Sequence, residues 1–157
     1  MLFKYLSLPK IPDELLLHNE EDFTEMENIF KNKGSRFYKQ HLVTNPELKK
    51  FIEDIFGCPC FCTYQVIKNG IPVHKDSGRT ECINYLITTG GPDAALDFYN
   101  NRFKVEHSEK LPAHVWHWLN VSGLHGVSGL TSTRISISIE LRGESNVLAQ
   151  TSNDSIL

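Results

Sequence analysis

The sequence predicts a single α+β domain in which N-terminal helices brace a β-sandwich or barrel. Residues 1–57 carry helical periodicity and helix boundaries, while residues 58–142 are a series of short β-rich runs cut by turns. The last run alternates apolar and polar residues without a break, as a strand with two unlike faces must. At 157 residues the chain has the length of one domain, 1–157, and can bury about two-thirds of its unfolded surface.

Residues 12–33 are expected to be helical. Asp13 and Glu14 sit near the start, and Phe23, Met26 and Phe30 fall on one face before Gly34. A second helix has clearer ends: Asn45 can cap it, Pro46 suits its first turn, and Gly57 stands where a C-terminal cap belongs. Leu48, Phe51, Ile52 and Ile55 form its apolar stripe. Strands are then expected at CFCTYQVI, ECINYLIT, AALDFYN, FKVEH, HVWHWL and TRISISIEL, about seven in all, with turns at Asn69-Gly70 and Gly90-Gly91-Pro92. The tail from Gly143 to Leu157 is polar and aperiodic and is expected to fray.

In the last strand Ile135, Ile137, Ile139 and Leu141 share one face, and Arg134, Ser136, Ser138 and Glu140 the other. The polar face can meet solvent or line a pocket at a barrel mouth. Cys58, Cys60 and Cys62 alternate onto one face of a strand; they and Cys82 read as small core residues in a reducing compartment. A metal-cluster reading lacks the paired C-x-x-C spacing of zinc sites. Trp116 and Trp118 share a strand face and read as core rather than as a stacking platform.

A formal charge of −3 and the absence of Lys/Arg runs offer no field for a nucleic-acid backbone, so there is no evidence for that partner. No stretch approaches the roughly 18–20 apolar residues of a membrane span. The N-terminus, broken by Pro9 and Pro12, lacks a signal-peptide cleavage site, and a cytoplasmic location is expected.

Chemistry concentrates in two clusters, His74-Lys75-Asp76 and the run from His125 to Ser136. Two histidines and one carboxylate make the facial triad that leaves about half of an octahedral Fe(II) site open. His74 and Asp76, two apart on an extended segment, leave the same face. His125 follows 49 residues after Asp76, flanked by the small residues of SGLHGVSG. Arg134 can grip a carboxylate through two parallel charge-assisted hydrogen bonds, with Ser136 adding a third from the same face; the plainer reading is a surface ion pair with Glu140. The other histidines (His18, His41, His107, His114, His117) are read as surface or hydrogen-bonding groups.

The pattern H-x-D, then His, then R-x-S resembles that of the Fe(II)/2-oxoglutarate-dependent oxygenase superfamily, over roughly residues 60–142. The resemblance implies a double-stranded β-helix core of jelly-roll, cupin-like type. It implies iron at His74, Asp76 and His125, and the C5 carboxylate of 2-oxoglutarate on Arg134 and Ser136. Tyr64 is its candidate for a tyrosine contacting the cosubstrate, and one of Asn84 and Tyr85 should face inward. The implied activity consumes 2-oxoglutarate and O2, releases succinate and CO2, and by default hydroxylates a prime substrate that the sequence does not single out. Competing readings are a non-oxidative cupin-like metalloprotein and a catalytically silent binding module on the same fold. Neither the prime substrate nor the oligomeric state can be read from the residues.

Overall fold

The computed structural model describes residues 1–29, 37–145 and 147. Its ten strands are β1 (Phe3–Leu6), β2 (Tyr38–Leu42), β3 (Cys60–Ile67), β4 (Ile71–His74), β5 (Glu81–Thr88), β6 (Ala95–Tyr99), β7 (Val105–Glu109), β8 (Val115–Asn120), β9 (His125–Ser128) and β10 (Arg134–Leu141). They form two antiparallel sheets. The larger runs β1-β8-β5-β10-β3-β2 and the smaller β4-β9-β6-β7.

From β3 onward the chain crosses between the sheets at every connection except the β6–β7 hairpin. Eight strands wound in this way, four per sheet, are a double-stranded β-helix of the cupin-like, jelly-roll kind. The first two strands extend the larger sheet at its two edges, β1 on β8 and β2 on β3.

The N-terminal region is less helical than its periodicity suggests. Within 12–29 there are two 3-10 turns, Asp13–Leu15 and Glu20–Phe23, and no α-helix; residues 30–33 of the expected helix, with Phe30, lie outside the described residues. The physical reason is visible at Leu16 and Asn19. Leu16 is extended (φ −101°, ψ 149°), and Asn19 closes a reciprocal capping box with Asp22, so a new turn starts where a helix would have continued. Leu16 and Phe23 still reach the core from this irregular path, which shows tertiary burial overriding local preference.

The second expected helix is present as α1 (Pro46–Phe56). Asn45 Oδ1 accepts from the amides of Glu47 (3.0 Å) and Leu48 (3.5 Å), and Gly57 ends the helix at φ +69°. Its buried side chains, Leu48, Ile52 and Phe56, pack on the outer face of the larger sheet against Tyr64, Tyr85, Trp116, Ile137 and Ile139. Cys58, Cys60 and Cys62 belong to the same core as free thiols, and burial raises the Cys60 and Cys62 thiols to about 12. Trp116 is core and Trp118 packs at its margin.

A second apolar cluster lies between the sheets: Phe3, Cys82, Leu86, Leu96, Phe98, Leu111, Leu119 and Val121. Two cores on opposite faces of one sheet explain why β10 is almost wholly buried. Its isoleucines face α1, and Arg134, Ser136 and Ser138 are buried inside the barrel. Of the tail 143–157, residues 146 and 148–157 lie outside the described residues. Among the described residues, no helix is long and apolar enough to cross a membrane.

Candidate metal centre and its cavities

His74 is the last residue of β4 and His125 the first of β9, and the two are register partners across that antiparallel pair. Their rings stand 4.3 Å apart, centroid to centroid. The pairing depends on Gly126: a Cβ there would sit 2.6 Å from the Ile71 carbonyl oxygen, so only glycine lets β9 approach β4 this closely. Asp76 follows β4 and is anchored by its amide, which donates to the Val121 carbonyl at 3.1 Å.

The three side chains converge. Asp76 Oδ1 lies 3.2 Å from His74 Nε2 and 3.3 Å from His125 Nε2, and one ligand atom from each residue falls within 4.8 Å of the others. Adjacent ligands of an octahedral ion with bonds of about 2.1 Å stand roughly 3 Å apart, which the two Oδ1 separations approach.

Donor chemistry also fits a cation. His74 Nδ1 donates to the Pro72 carbonyl at 2.8 Å and His125 Nδ1 to the Gly123 carbonyl at 2.9 Å. In the neutral rings those bonds leave both Nε2 lone pairs aimed at a carboxylate oxygen that is itself an acceptor. Three acceptors around one point need a positive charge among them. A metal ion meets that need, and backbone carbonyls on the far nitrogens are the support that metal-bound histidines use.

A proton on Nε2 is the alternative source of that positive charge, and a ring that carries it donates to Asp76. Burial alone would raise the Asp76 carboxyl, but hydrogen bonds from His125, His74 and Arg79 outweigh it and hold the group well below the usual carboxylate range. The Asp76 hydrogen bond raises His74 above its ordinary value, against the opposing effect of burial. Arg79 Nε donates to Asp76 Oδ2 at 2.6 Å, leaving Oδ1 as the oxygen turned to the histidines.

Two cavities meet at this cluster. An open vestibule of about 570 Å³ is walled by Phe37, Tyr38, Phe61, Lys75 and Glu140 among others. A smaller pocket of about 60 Å³ adjoins it; it shares Tyr38, Ile71, His74, Asp76 and Arg79 with the vestibule and adds Gln65, Asn84, His117, His125, Arg134 and Ser136. The His-Asp-His cluster therefore sits where the two spaces join.

Arg134 is 4 % exposed. Among the described residues its one side-chain hydrogen bond is from Nη1 to the Thr89 carbonyl at 3.1 Å, and no carboxylate pairs with it. Burial lowers its pKa to about 10, still leaving it charged at neutral pH. Glu140, the surface partner considered for it, instead lies 3.5 Å from Arg142. An uncompensated buried guanidinium costs several kcal/mol unless an anion joins it.

Tyr64 is a correction. It occupies the opposite face of β3, in the core under α1, where its hydroxyl accepts from the Leu17 amide at 3.2 Å. Its neighbours in period, Cys60, Cys62 and Val66, belong to the same core, and that alternation could have placed it. The tyrosine that borders both cavities is Tyr38, from a strand the sequence reading did not contain. Asn84 faces the pocket, whereas Tyr85 lies in the outer core. Sequence reasoning also missed Gln65, Arg79 and His117. His117 had a signal, because the two tryptophans beside it on β8 claim the other face.

No protein-family model and no curated protein matches the chain. Among solved structures, it is similar to an oxidoreductase of the 2OG-Fe(II) oxygenase family from Burkholderia pseudomallei, at 10% identity and a TM-score of 0.46, over 66% of this chain and 68% of that one. It is also similar to hydroxypropylphosphonic acid epoxidase from S. wedmorenis (6% identity, TM-score 0.48), over 85% of this chain and 63% of that one. A third is oxalate decarboxylase from Bacillus subtilis (12% identity, TM-score 0.46), over 74% of this chain and 28% of that one. The chain thus spans little more than a quarter of the decarboxylase. These likenesses carry no weight for function. The side chains described above do.

Proposed function

We propose that this chain is an Fe(II)- and 2-oxoglutarate-dependent oxygenase, a hydroxylase by default, whose prime substrate enters through the vestibule. The carrying observation is Arg134: a buried cation without a counter-anion among the described residues, on the same pocket as a His-Asp-His cluster. Three acceptors converging at one end call for a metal, and the guanidinium at the other calls for an anion. A dicarboxylate cosubstrate that also ligates the metal satisfies both.

Each residue then has a task. His74 and His125 present fixed Nε2 lone pairs, Asp76 supplies the one negative ligand, and Arg79 orients it. His74, Asp76 and His125 would hold the ion with three donors and leave it accessible to the cosubstrate from the pocket. Iron with 2-oxoglutarate supplies the activation of O2, with release of succinate and CO2. Arg134 takes the far carboxylate through its planar fork, and Ser136 offers an O–H from the same face. Leu86, Leu96, Leu119 and Val121 keep the pocket walls apolar, which strengthens charge pairs formed inside.

The test is succinate formation from 2-oxoglutarate with Fe(II) across a panel of candidate substrates, with calorimetry of the unreactive analogue N-oxalylglycine. Arg134→Ala should retain iron binding and weaken the analogue by about 2–5 kcal/mol. Arg134→Lys should be impaired less, since it keeps the charge and loses the fork. Unchanged affinity in Arg134→Ala would sink the cosubstrate reading and leave a non-oxidative cupin-like metalloprotein.

A further inference from the structure

One face of β5 presents Cys82, Asn84 and Leu86 to the smaller pocket, in that order along the strand. The order sets Asn84 between the two ends of the pocket. Cys82 is near enough to Asp76 and Arg79 to interact with both charges. Leu86 is the register partner of Ser136, and Arg134 reaches the Thr89 carbonyl just past the end of the strand. A ligand that joins the His-Asp-His cluster to Arg134 therefore passes Asn84.

Asn84 is 9 % exposed, and only one end of its carboxamide is committed. Oδ1 accepts from the Cys82 thiol at 3.2 Å; a thiol is a weak donor and a weaker acceptor, so this bond turns the carbonyl toward the sulfur. Ser138, the register partner of Asn84 on β10, stands 3.5 Å from the same sulfur and makes no bond to the amide. Nδ2 is left with two N–H donors that no acceptor takes among the described residues. Nor is Nδ2 sealed in, as the unpartnered His41 Nε2, Tyr85 hydroxyl and His117 Nδ1 are; it keeps access to the pocket that the residue lines. Buried polar groups are nearly always satisfied, so an open pair of donors facing a cavity marks a place for an acceptor.

We propose that Asn84 positions the cosubstrate, donating an Nδ2 N–H to the keto-acid carboxylate at the oxygen that the metal leaves free. This rests on the reading of the pocket as a 2-oxoglutarate site and adds a residue to it. The choice of oxygen follows from the chemistry of the ligand. A 2-keto acid that chelates through its keto oxygen and one carboxylate oxygen keeps its second carboxylate oxygen unligated, and an ionised carboxylate only accepts. Arg134 is taken by the far carboxylate, whereas Asn84 stands on the metal side of it. A neutral amide there fixes the tilt of the carboxylate without adding a charge beside Asp76 and Arg79.

The experiment titrates N-oxalylglycine calorimetrically into the anaerobic Fe(II)-loaded protein, comparing wild type with Asn84→Leu, Asn84→Asp and Arg134→Ala. Asn84→Leu keeps the size and removes the donors; it should weaken the analogue roughly tenfold, the size of one hydrogen bond to a charged group. Asn84→Asp keeps an acceptor for the Cys82 thiol but turns an oxygen toward the anion, so it should bind at least as weakly as Leu. A merely structural role needs only the acceptor: Asp binding like wild type while Leu is impaired would reduce Asn84 to a support for Cys82 and overturn the proposal. Wild-type affinity in both variants, with Arg134→Ala weakened, overturns it too and leaves the cosubstrate reading standing. Equal affinity in wild type and Arg134→Ala removes that reading and the proposal with it. For variants that do not fold, wild-type protein with nitrogen-labelled asparagine is loaded with Zn(II), which binds the same N/O donors and is diamagnetic. The Asn84 side-chain N–H resonances should shift and exchange more slowly when N-oxalylglycine is added; resonances unmoved at saturation would also overturn the proposal.

Discussion

Asp76 is asked to do two things with one carboxylate, and its two oxygens divide the work. Oδ2 is held by Arg79 at 2.6 Å, and Oδ1 faces both histidines. Replacing Asp76 with Ala removes the only negative ligand and leaves Arg79 without that bond. Fe(II) affinity should fall by more than about 100-fold, beyond the 10–100-fold typical of lost supporting residues, and metal-dependent turnover should vanish. Retained binding by calorimetry would mean that the carboxylate is not a ligand. His117 carries a residue-scale prediction of another kind. Burial, aided by the nearby Arg134 charge, lowers its pKa from 6.5 to about 3. Between those limits the unfolded chain binds a proton here that the folded chain refuses, so the unfolded state gains protons and stability falls with falling pH. The slope is up to about 1.4 kcal/mol per pH unit, and above pH 6.5 the contribution is flat because both states are neutral. Denaturant titrations from about pH 4 to 7 should show His117→Asn losing that part of the slope. Parallel profiles for variant and wild type would contradict a buried neutral imidazole.

At the scale of elements, the site is a seam between β4 and β9. Neither strand was legible in the sequence, because each has four residues and β9 (His125–Ser128) begins HGVS, with a glycine where propensity wants a branched residue. Yet that glycine brings the histidines together. Gly126→Ala would press a methyl group into the Ile71 and Pro72 backbone, pushing β9 off β4 and separating His125 from His74. Iron affinity should drop by about 10–100-fold, comparable to loss of a supporting residue, with the outer core around α1 little affected. Wild-type affinity would mean that the strands shift without cost. Six strands could be read: β3, β5, β8 and β10 of the larger sheet, and β6 and β7 of the smaller. Period two in β10 separated Arg134 and Ser136 from the isoleucines, but not which side was the barrel interior. Only packing decides that, since α1 covers one face and the smaller sheet the other. The same ambiguity left Asn84 and Tyr85 unresolved, both faces of β5 being apolar around them. Tyr64 follows the alternation of its own strand, with Cys60, Cys62 and Val66, into the outer core and away from the site that the resemblance implies for it.

For the whole molecule, the arrangement of donors between sheets matters more than any single contact. His74 and His125 belong to the smaller sheet, with Asp76 just beyond β4, whereas Arg134 and Ser136 belong to the larger. A ligand held by the metal and by Arg134 together ties one sheet to the other across the pocket, while a metal alone ties only strands within the smaller sheet. Binding to the folded state stabilises it by RT ln(1 + [L]/Kd), about 2.7 kcal/mol at a hundredfold excess over Kd. For a domain of this size each kcal/mol raises Tm by roughly 2–4 °C, so saturating Fe(II) without oxygen should raise it by about 5–11 °C. N-oxalylglycine added to the metal-loaded protein should add a shift of similar size. Without metal it should shift Tm far less, because the analogue then has Arg134 and its neighbours alone. This dependence of the diacid on the metal separates the two readings of the fold: an oxygenase requires it, and a cupin-like metalloprotein with no cosubstrate shows the metal shift alone. Equal stabilisation by the diacid with and without metal would place Arg134 in an anion site unconnected to His74, Asp76 and His125, and the proposed chemistry would fail at that point.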